Sequence, residues 1–289
     1  MYVLVSTLVE DGDDGSLGSG AHRFYGVFPG SATQPAGAVE NTVLPLDMAE
    51  NSVDDMYNNC TDQMSKMAKK YLTKEKNENQ NFTDAWDEGE QYYNEKWNGS
   101  KELGKEQIVA LYAYTSGKVY REFNAAVRNQ SCQYNSTFGY HALHFYLTVA
   151  VQDLKAKEKD LGKNCTTSFR RTKRSFDQNV LNTEIRFGSF ASSSKNQSIN
   201  AETFGDKSCF NIITCYGAEI ANFSKYPNEE EVLIPPYEVF HVTDIQNKTE
   251  NEHLPCDVVY TLKSTRTLSK LNCALVKKES WLKSLFGKW

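Results

Sequence analysis

The chain has 289 residues, enough to bury the core of one large domain or of two small ones. Its formal net charge of −5 gives no reason to expect nucleic-acid binding, and its mean hydropathy of −0.59 is that of a polar, soluble protein. No stretch approaches the roughly 18 apolar residues of a membrane-spanning helix, so we expect no membrane span.

The two ends of the chain differ from its centre. Residues 1–40 are predicted to form a poorly ordered arm, because the glycines at 12–20 neither follow a strand nor precede an apolar helix, as those of a phosphate loop would. Residues 1–9 lack the basic and apolar regions of a secretion signal. Residues 277–289 are predicted to be a basic, amphipathic tail without the long apolar segment of a GPI signal.

Two composition signals nevertheless indicate an extracellular protein. Nine Asn-x-Ser/Thr sequons occur, where chance placement would give about three or four. The alternative is a chain that is merely rich in Asn. Seven cysteines fit an oxidising compartment, and no Cys or His pattern predicts a metal site. We therefore expect an extracellular or secretory-lumen location, with the export signal missing from this version of the sequence.

Helical patterns dominate the first half. Apolar side chains recur at three- and four-residue steps from Val53 to Leu72, and Ser52 with Asp55 is the predicted N-cap pair. His141 and His144, one turn apart, are interpreted as ordinary helix residues. The other segments are a loop with a short helix at 77–100, a strand or helix end at 108–114, and helices at 119–127 and 142–155.

From Cys165 onward the pattern changes to short β-rich runs. Helices followed by strands predict an α+β domain, which we assign to residues 41–276. The predicted strands lie near 166–170, 184–191, 209–216, 231–234, 237–243, 256–264 and 271–276.

An acidic triplet is the most informative single feature. Glu229, Glu230 and Glu231 precede an apolar run that Pro235 and Pro236 close. If a strand begins at the triplet, its alternation places Glu229 and Glu231 on one face. Two adjacent carboxylates can stabilise a developing cation and orient a basic nucleophile. The alternatives are a solvated acidic turn and the paired carboxylates of a glycosidase.

Two further segments decide among these alternatives. Arg170 lies in a Ser-Phe-Arg-Arg-Thr run, and Ser192 begins the Ser-x-Ser of Phe-Ala-Ser-Ser-Ser. Arginine, then this serine motif, then Glu-x-Glu before an apolar run resembles the R-S-E signature of the vertebrate arginine-specific mono-ADP-ribosyltransferases, the ecto-enzyme family. The resemblance covers about residues 44–276, and it includes residues 46–49, 54–57, 113–115, 123–128, 147–148, 204–205, 214–218 and 271–273.

The resemblance implies a fold and two disulfides. The fold is a helical N-terminal part packed on two facing β-sheets, with NAD in the cleft between them. The pairs would be Cys60 with Cys273 and Cys165 with Cys215, each removing roughly 4–5 kcal/mol of unfolded-state entropy. Three cysteines remain, and the sequence does not decide which of them pair: Cys132, Cys209 and Cys256.

The resemblance also implies catalytic roles. Glu231 would stabilise the positive charge that grows on ribose as nicotinamide leaves, and Ser192 would orient it. Arg170 would hold the phosphates of NAD. Glu229 would orient an acceptor arginine and take its proton.

Four softer expectations concern NAD contacts. Phe204 and Tyr114 are candidates to flank nicotinamide. Ser189 stands where the family often has Gln, so a second contact between the protein and NAD is expected to be weaker there. Ser224 lies where the family places another nucleotide contact. Arg171 departs from the family, which usually has Gly there.

The expected function is therefore transfer of ADP-ribose from NAD to arginine side chains of target proteins, without a metal, by a chain expected to be monomeric. The alternatives are an NAD glycohydrolase and a catalytically silent binding module of the same fold. Intact Arg170, Ser192, Glu229 and Glu231 argue against the silent module.

Overall fold

The computed structural model of the protein describes residues 42–197 and 201–276. The predicted arm at 1–40 and the tail at 277–289 lie outside the described residues. The domain predicted at 41–276 spans the part that can be compared.

Helices make up most of the first half of the described chain, as predicted. The segment at 77–100, predicted to be a loop with a short helix, is mostly one long helix, and the segment at 108–114 is helical too. The longest helix, α5 (His141–Asp160), is buried on nearly every side as far as Val151, which explains why its sequence shows no clear polar face. The helices are α1 (Thr61–Glu78), α2 (Gln80–Lys96), α3 (Lys105–Thr115), α4 (Tyr120–Asn129), α5 (His141–Asp160) and the short α6 (Ala201–Phe204).

The first helix begins later than predicted. Ser52 and Asp55 do not cap it, because their side chains make long-range bonds instead. The Ser52 hydroxyl donates to the carbonyl of Gly188, and the Asp55 carboxylate accepts from the amide of Cys273. Residues 53–60 are therefore a largely buried loop, and the apolar periodicity there reflects burial without a helix.

The strands follow in the second half, apart from the first, which precedes the helices. They are β1 (Val43–Leu44), β2 (Thr166–Thr172), β3 (Ser175–Phe176), β4 (Glu184–Ile185), β5 (Ala191–Ser194), β6 (Ser208–Thr214), β7 (Ala218–Glu219), β8 (Glu231–Ile234), β9 (Glu238–Asn247) and β10 (Val258–Thr267). Eight of them form one sheet in the order β4-β9-β10-β6-β2-β5-β8-β7, and β1 pairs with β3 separately.

The sheet divides naturally into two halves. Strands β4, β9, β10, β6 and β2 form a five-stranded half, and β5, β8 and β7 form a three-stranded half. The ladder between β2 and β5 is recorded at one residue pair, Phe169 with Ser194, whereas β2 and β6 pair over seven residues. The α+β class is thus confirmed, and the two facing sheets that the resemblance implies are joined here by backbone pairing into one eight-stranded sheet along this short seam.

Two of the predicted strands are wrong in detail. The run at 184–191 is divided into β4 and β5, because the intervening Arg186 turns into the core. The run at 271–276 is a turn followed by helical backbone, with Cys273 in the left-handed region at φ 60°. The backbone amides of Leu271 and Cys273 donate to the side chains of Asp54 and Asp55, and not to a neighbouring strand.

A buried ion pair joins three distant parts of the chain. Arg186 Nη1 lies 2.7 Å from Asp54 Oδ2, and both side chains are at most 1% exposed. The guanidinium also donates to the carbonyls of Met48, Ala49 and Leu268. The other Asp54 oxygen accepts the amides of residues 270 and 271. The charges are thus paired, and all three nitrogens of the guanidinium donate at least one hydrogen bond.

Three disulfides are formed by the seven cysteines, all of which lie among the described residues. The pairs Cys60–Cys273 and Cys165–Cys215 are present, as the resemblance implied. The third pair, Cys209–Cys256, could not be assigned from sequence. Cys132 is the cysteine left free, and it is exposed.

We predict that Asp54→Asn destabilises the protein strongly. The substitution keeps the shape of the side chain but leaves the buried Arg186 charge uncompensated, which should lower the free energy of unfolding by about 3–5 kcal/mol. Chemical denaturation measures the change. Glu184→Gln, which breaks the exposed pair with Arg266, is the control and should cost less than about 1 kcal/mol. Equal effects would contradict the role of the buried pair.

We also predict that the Cys60–Cys273 bond is a major part of the stability, since it closes a loop of 213 residues. The double change Cys60→Ser with Cys273→Ser should lower the free energy of unfolding by roughly 5 kcal/mol in the chain-entropy model. Thermal denaturation under oxidising conditions, with non-reducing peptide maps of both proteins, tests this. An unchanged melting temperature would refute it.

Candidate active site

An open cavity, with about 350 Å³ of empty space that includes part of the surrounding solvent, lies where β2, β5 and β8 meet, across the seam of the sheet. Four residues predicted for catalysis, Arg170, Ser192, Glu229 and Glu231, line it together. The remaining lining residues are Phe169, Arg171, Ser193, Ser194 and Phe204.

The two glutamates reach the cavity by a turn, not by strand alternation. Strand β8 begins at Glu231, and Glu229 ends a 3₁₀ turn that starts at Pro227. Between them, Glu230 adopts a left-handed conformation with φ 47°. Glu229 and Glu231 both line the cavity, although the strand begins only at the last residue of the triplet and alternation along it does not relate the two.

Glu231 is a buried carboxylate with its proton affinity raised. It is 6% exposed, and its desolvation raises the pKa from the ordinary 4.5 to about 7. A hydrogen bond with Ser192 and the charge of Arg170 oppose this rise in the pKa, whereas the charge of Glu229 adds to it. A carboxylate held in such a site interacts strongly with any cation that develops beside it.

Glu229 has a related but milder environment. Burial raises the pKa of its carboxyl above the usual range. Its backbone carbonyl accepts a 2.6 Å hydrogen bond from the Ser194 hydroxyl, which fixes the turn against β5. The group is therefore positioned and readier than an ordinary glutamate to accept a proton.

Arg170 and Ser192 are linked directly. Arg170 Nη1 donates to the backbone carbonyl of Ser192 at 2.6 Å, across the seam between β2 and β5. This bond holds the guanidinium at the cavity wall. In the antiparallel register, Ser192 pairs with Leu233 and Ser194 with Glu231, so alternation puts Ser192 on the same face as Glu231.

The other serines of the run are structural anchors that the sequence reading did not separate from Ser192. The Ser193 hydroxyl contacts the Ser168 hydroxyl at 2.9 Å and donates to the Val232 carbonyl at 3.0 Å. Together with the Ser194 bond to the turn, these contacts join β5 to both neighbouring strands. The run of three small hydroxyl residues was the available signal, since each side chain can donate and accept within a tight space.

The softer candidates are divided between the cavity and its surroundings. Phe204 lines the cavity. Tyr114 is fully buried behind it, with its hydroxyl 3.5 Å from Ser192 Oγ. Ser189 accepts a hydrogen bond from Arg128 at 2.8 Å, and Ser224 lines a separate cavity beside Tyr92. The structure thus brings Phe204 to the four central residues and places Tyr114, Ser189 and Ser224 outside the cavity wall.

Asn124 is a supporting residue that the sequence reading did not single out. Its side-chain amide donates to the Tyr114 hydroxyl at 3.1 Å, and that hydroxyl is directed to the backbone of Phe190. Asn124 belongs to the Phe-Asn-Ala-Ala run noted above, which was a usable signal. The chain Asn124–Tyr114–Ser192 fixes the back of the site from helices α3 and α4.

Neither a metal-ligand cluster nor a membrane-spanning helix is present among the described residues. Across 42–197 and 201–276, no group of three or more His, Cys, Asp or Glu is arranged to hold a metal ion. Within the same ranges, no helix has the length and apolar character needed to cross a membrane.

Comparison with known proteins gives consistent matches. A family model described as NAD:arginine ADP-ribosyltransferase matches residues 46–261. NAD(P)(+)--arginine ADP-ribosyltransferase 2 of Gallus gallus is 34% identical over 254 residues, which are 86% of this chain and 78% of that protein. T-cell ecto-ADP-ribosyltransferase 2 of Mus musculus is 38% identical over 208 residues, covering 70% of this chain and 69% of the mouse protein.

Solved structures agree with the sequence matches. The crystal structure of the eucaryotic mono-ADP-ribosyltransferase ART2.2 superposes with a TM-score of 0.66 at 33% identity, covering 80% of this chain and 98% of the other. A variant of ART2.2 solved in complex with NAD gives a TM-score of 0.65 at 32% identity, with the same coverage.

We predict that Glu231 titrates near neutrality. NMR of protein with ¹³C-labelled glutamate should show a Glu231 carboxyl with a midpoint of about 7, and Glu231→Gln should remove that signal. Glu229→Gln should lower the midpoint, because it removes a neighbouring negative charge. Glu219→Gln, at a carboxylate on β7 outside the cavity lining, is the control and should leave it unchanged. A midpoint near the ordinary 4.5 would contradict the burial argument.

Proposed function

Because the chain belongs to the NAD:arginine ADP-ribosyltransferase family, we propose that it transfers ADP-ribose from NAD to arginine side chains of other proteins and releases nicotinamide. The observation that carries the proposal is the meeting of Arg170, Ser192, Glu229 and Glu231 in one cavity. A fixed arginine beside one buried and one half-buried carboxylate matches a substrate with a diphosphate at one end and a bond to be broken at a sugar.

Arg170 is proposed to bind the phosphates of NAD. A guanidinium matches phosphate oxygens with two parallel donors and stays charged at any working pH. Its bond to the Ser192 carbonyl fixes the orientation of the side chain before substrate arrives. Binding then loses less side-chain freedom than a mobile arginine would lose.

Glu231 is proposed to stabilise the reacting ribose. As the bond between nicotinamide nitrogen and ribose C1 breaks, nicotinamide leaves with the electron pair and positive charge grows on the sugar. The Glu231 carboxylate stabilises that charge, and Ser192 holds the carboxylate in place through the hydrogen bond between them. Since the charged form is required, NAD cleavage should strengthen as pH rises through about 7.

Glu229 is proposed to select the acceptor. A guanidinium nitrogen forms the new bond to C1 and must lose a proton as it does so. Glu229 pairs with the guanidinium, orients it toward C1 and takes that proton, for which its raised pKa suits it. Phe204 is proposed to flank nicotinamide from the same cavity.

The names of several relatives support an extracellular location. Five of the matched proteins are named as ecto-enzymes or GPI-linked enzymes, and the three disulfides of this chain fit an oxidising compartment. We propose that the protein acts on target proteins outside the cell or in the secretory lumen, as a monomer whose catalytic domain is residues 41–276.

The proposal is tested with labelled NAD and agmatine, a free-guanidine acceptor. Label on agmatine together with released nicotinamide is the expected result. Free ADP-ribose without labelled agmatine would show a hydrolase instead of a transferase. The absence of both products would support a silent binding module.

Replacing the two glutamates is predicted to affect transfer and NAD hydrolysis differently. Glu231→Gln should lower transfer and NAD hydrolysis together by about 10²–10³ in turnover, because the electrostatic stabilisation is lost. Glu229→Gln should abolish agmatine labelling but leave hydrolysis measurable. Glu219→Gln serves as the matched control and should change neither activity. Near-normal activity in folded Glu231→Gln would remove the assignment, and equal loss of both activities in Glu229→Gln would mean that the carboxylates act as one unit.

A further inference from the structure

Arg171 donates hydrogen bonds to backbone carbonyls of two different segments of the chain. It lies on β2 next to Arg170 and lines the cavity. Its Nε donates to the carbonyl of Gly205 at 3.1 Å, and its Nη2 donates to the carbonyl of Pro255 at 2.6 Å. One guanidinium thus joins β2 to two separate loops.

The first of these loops carries Phe204. Gly205 follows Phe204 directly and has a left-handed φ of 97°. A Cβ there would come within 2.5 Å of the Lys173 amide nitrogen and 2.7 Å of the Thr172 carbonyl carbon. The chain after Phe204 therefore passes against the end of β2 at a distance only glycine allows, and Arg171 bonds to it at that point.

The second loop is itself fixed by the disulfide that the sequence left unassigned. Pro255 precedes Cys256, which is bonded to Cys209 on β6. Cys256 is fully buried and Cys209 is 5% exposed, and they pack with Val259 in a small apolar cluster. The carbonyl that holds one end of the Arg171 guanidinium is thus anchored to the same sheet half from which the arginine projects.

We propose that Arg171 is a positioning residue that holds Phe204 against the nicotinamide end of the cavity, with the Cys209–Cys256 disulfide anchoring the second contact of the same guanidinium. The inference rests on the proposed function, because it assigns Phe204 to the nicotinamide side of NAD. Both cysteines are too buried for ready reduction, so the disulfide acts as a permanent brace and not as a redox switch.

A competing role for Arg171 is direct contact with the NAD phosphates, since it also lines the cavity. The two roles differ in which part of the ligand they affect. Loss of a residue that positions Phe204 weakens binding of NAD but spares ADP-ribose, which has no nicotinamide. Loss of a phosphate contact weakens both ligands alike.

The test measures binding by calorimetry in a Glu231→Gln background, where turnover is suppressed, so it does not depend on activity. Arg171→Ala should raise the Kd for NAD about tenfold, which corresponds to the loss of one charged hydrogen bond. The Kd for ADP-ribose should stay unchanged. Arg171→Lys, which can reach one carbonyl, should restore part of the NAD affinity.

The disulfide is tested by Cys209→Ser with Cys256→Ser, alone and combined with Arg171→Ala. The serine pair should also raise the Kd for NAD. The combined variant should bind NAD no more weakly than Arg171→Ala alone, since both changes act through one contact. Lys207→Ala is the control, because it removes an exposed cation paired with Asp257 in the same loop. Peptide maps and melting curves confirm that the other two disulfides and the fold persist.

Kinetics of the same variants with Glu231 intact give a second readout. Arg171→Ala should raise the KM for NAD with kcat nearly unchanged. An unchanged Kd for NAD in Arg171→Ala would overturn the proposal, and so would parallel weakening of NAD and ADP-ribose. If the parent protein shows no transfer or hydrolysis, the proposed function fails, while the affinity comparison still decides the role of Arg171.

Discussion

The buried contact between Asp54 and Arg186 is the constraint on which the rest of the architecture depends. Two opposite charges without water are stable only when every donor and acceptor around them is used. Here the guanidinium draws in the carbonyls of Met48, Ala49 and Leu268, and the carboxylate draws in amides near the C-terminal turn. The start, the middle and the end of the described chain are thereby fixed to one point.

Arg186 lies six residues before Ser192, so the ion pair also helps to set the place of this cavity-lining serine. Between the two, Gly188 accepts from Ser52, and Ser189 accepts from Arg128. The segment therefore enters β5 with its backbone held from several sides. A strand of four residues could not fix a hydroxyl accurately by its own ladder, and these contacts give it the rigidity that positioned chemistry requires.

Sequence reasoning reached the site more securely than it reached the elements. The order of arginine, serine and paired glutamates identified the residues that meet in the cavity, because chemistry restricts side-chain types more than it restricts backbone shape. The same reasoning started α1 too early. The buried loop at 53–60 has apolar residues at helical spacing, but its aspartate side chains bond to distant backbone amides. It placed a strand at 271–276 for the same reason. Neither the left-handed Glu230 nor the Cys209–Cys256 pair could be seen in sequence, because each depends on contacts between segments far apart.

The seam between the two halves of the sheet has a mechanical consequence. With one recorded backbone pair, Phe169 and Ser194, the halves are joined mainly by side chains such as Arg170 and Ser193. Arg170 lies on the five-stranded half, and Phe204 precedes Gly205, which is bonded to that half. Ser192 and Glu231 lie on the three-stranded half. A ligand that contacts both halves of the sheet would connect them where backbone hydrogen bonds between β2 and β5 are few. Occupancy would then stiffen the whole sheet along this line, and slow hydrogen exchange at strands far from the ligand would be its signature.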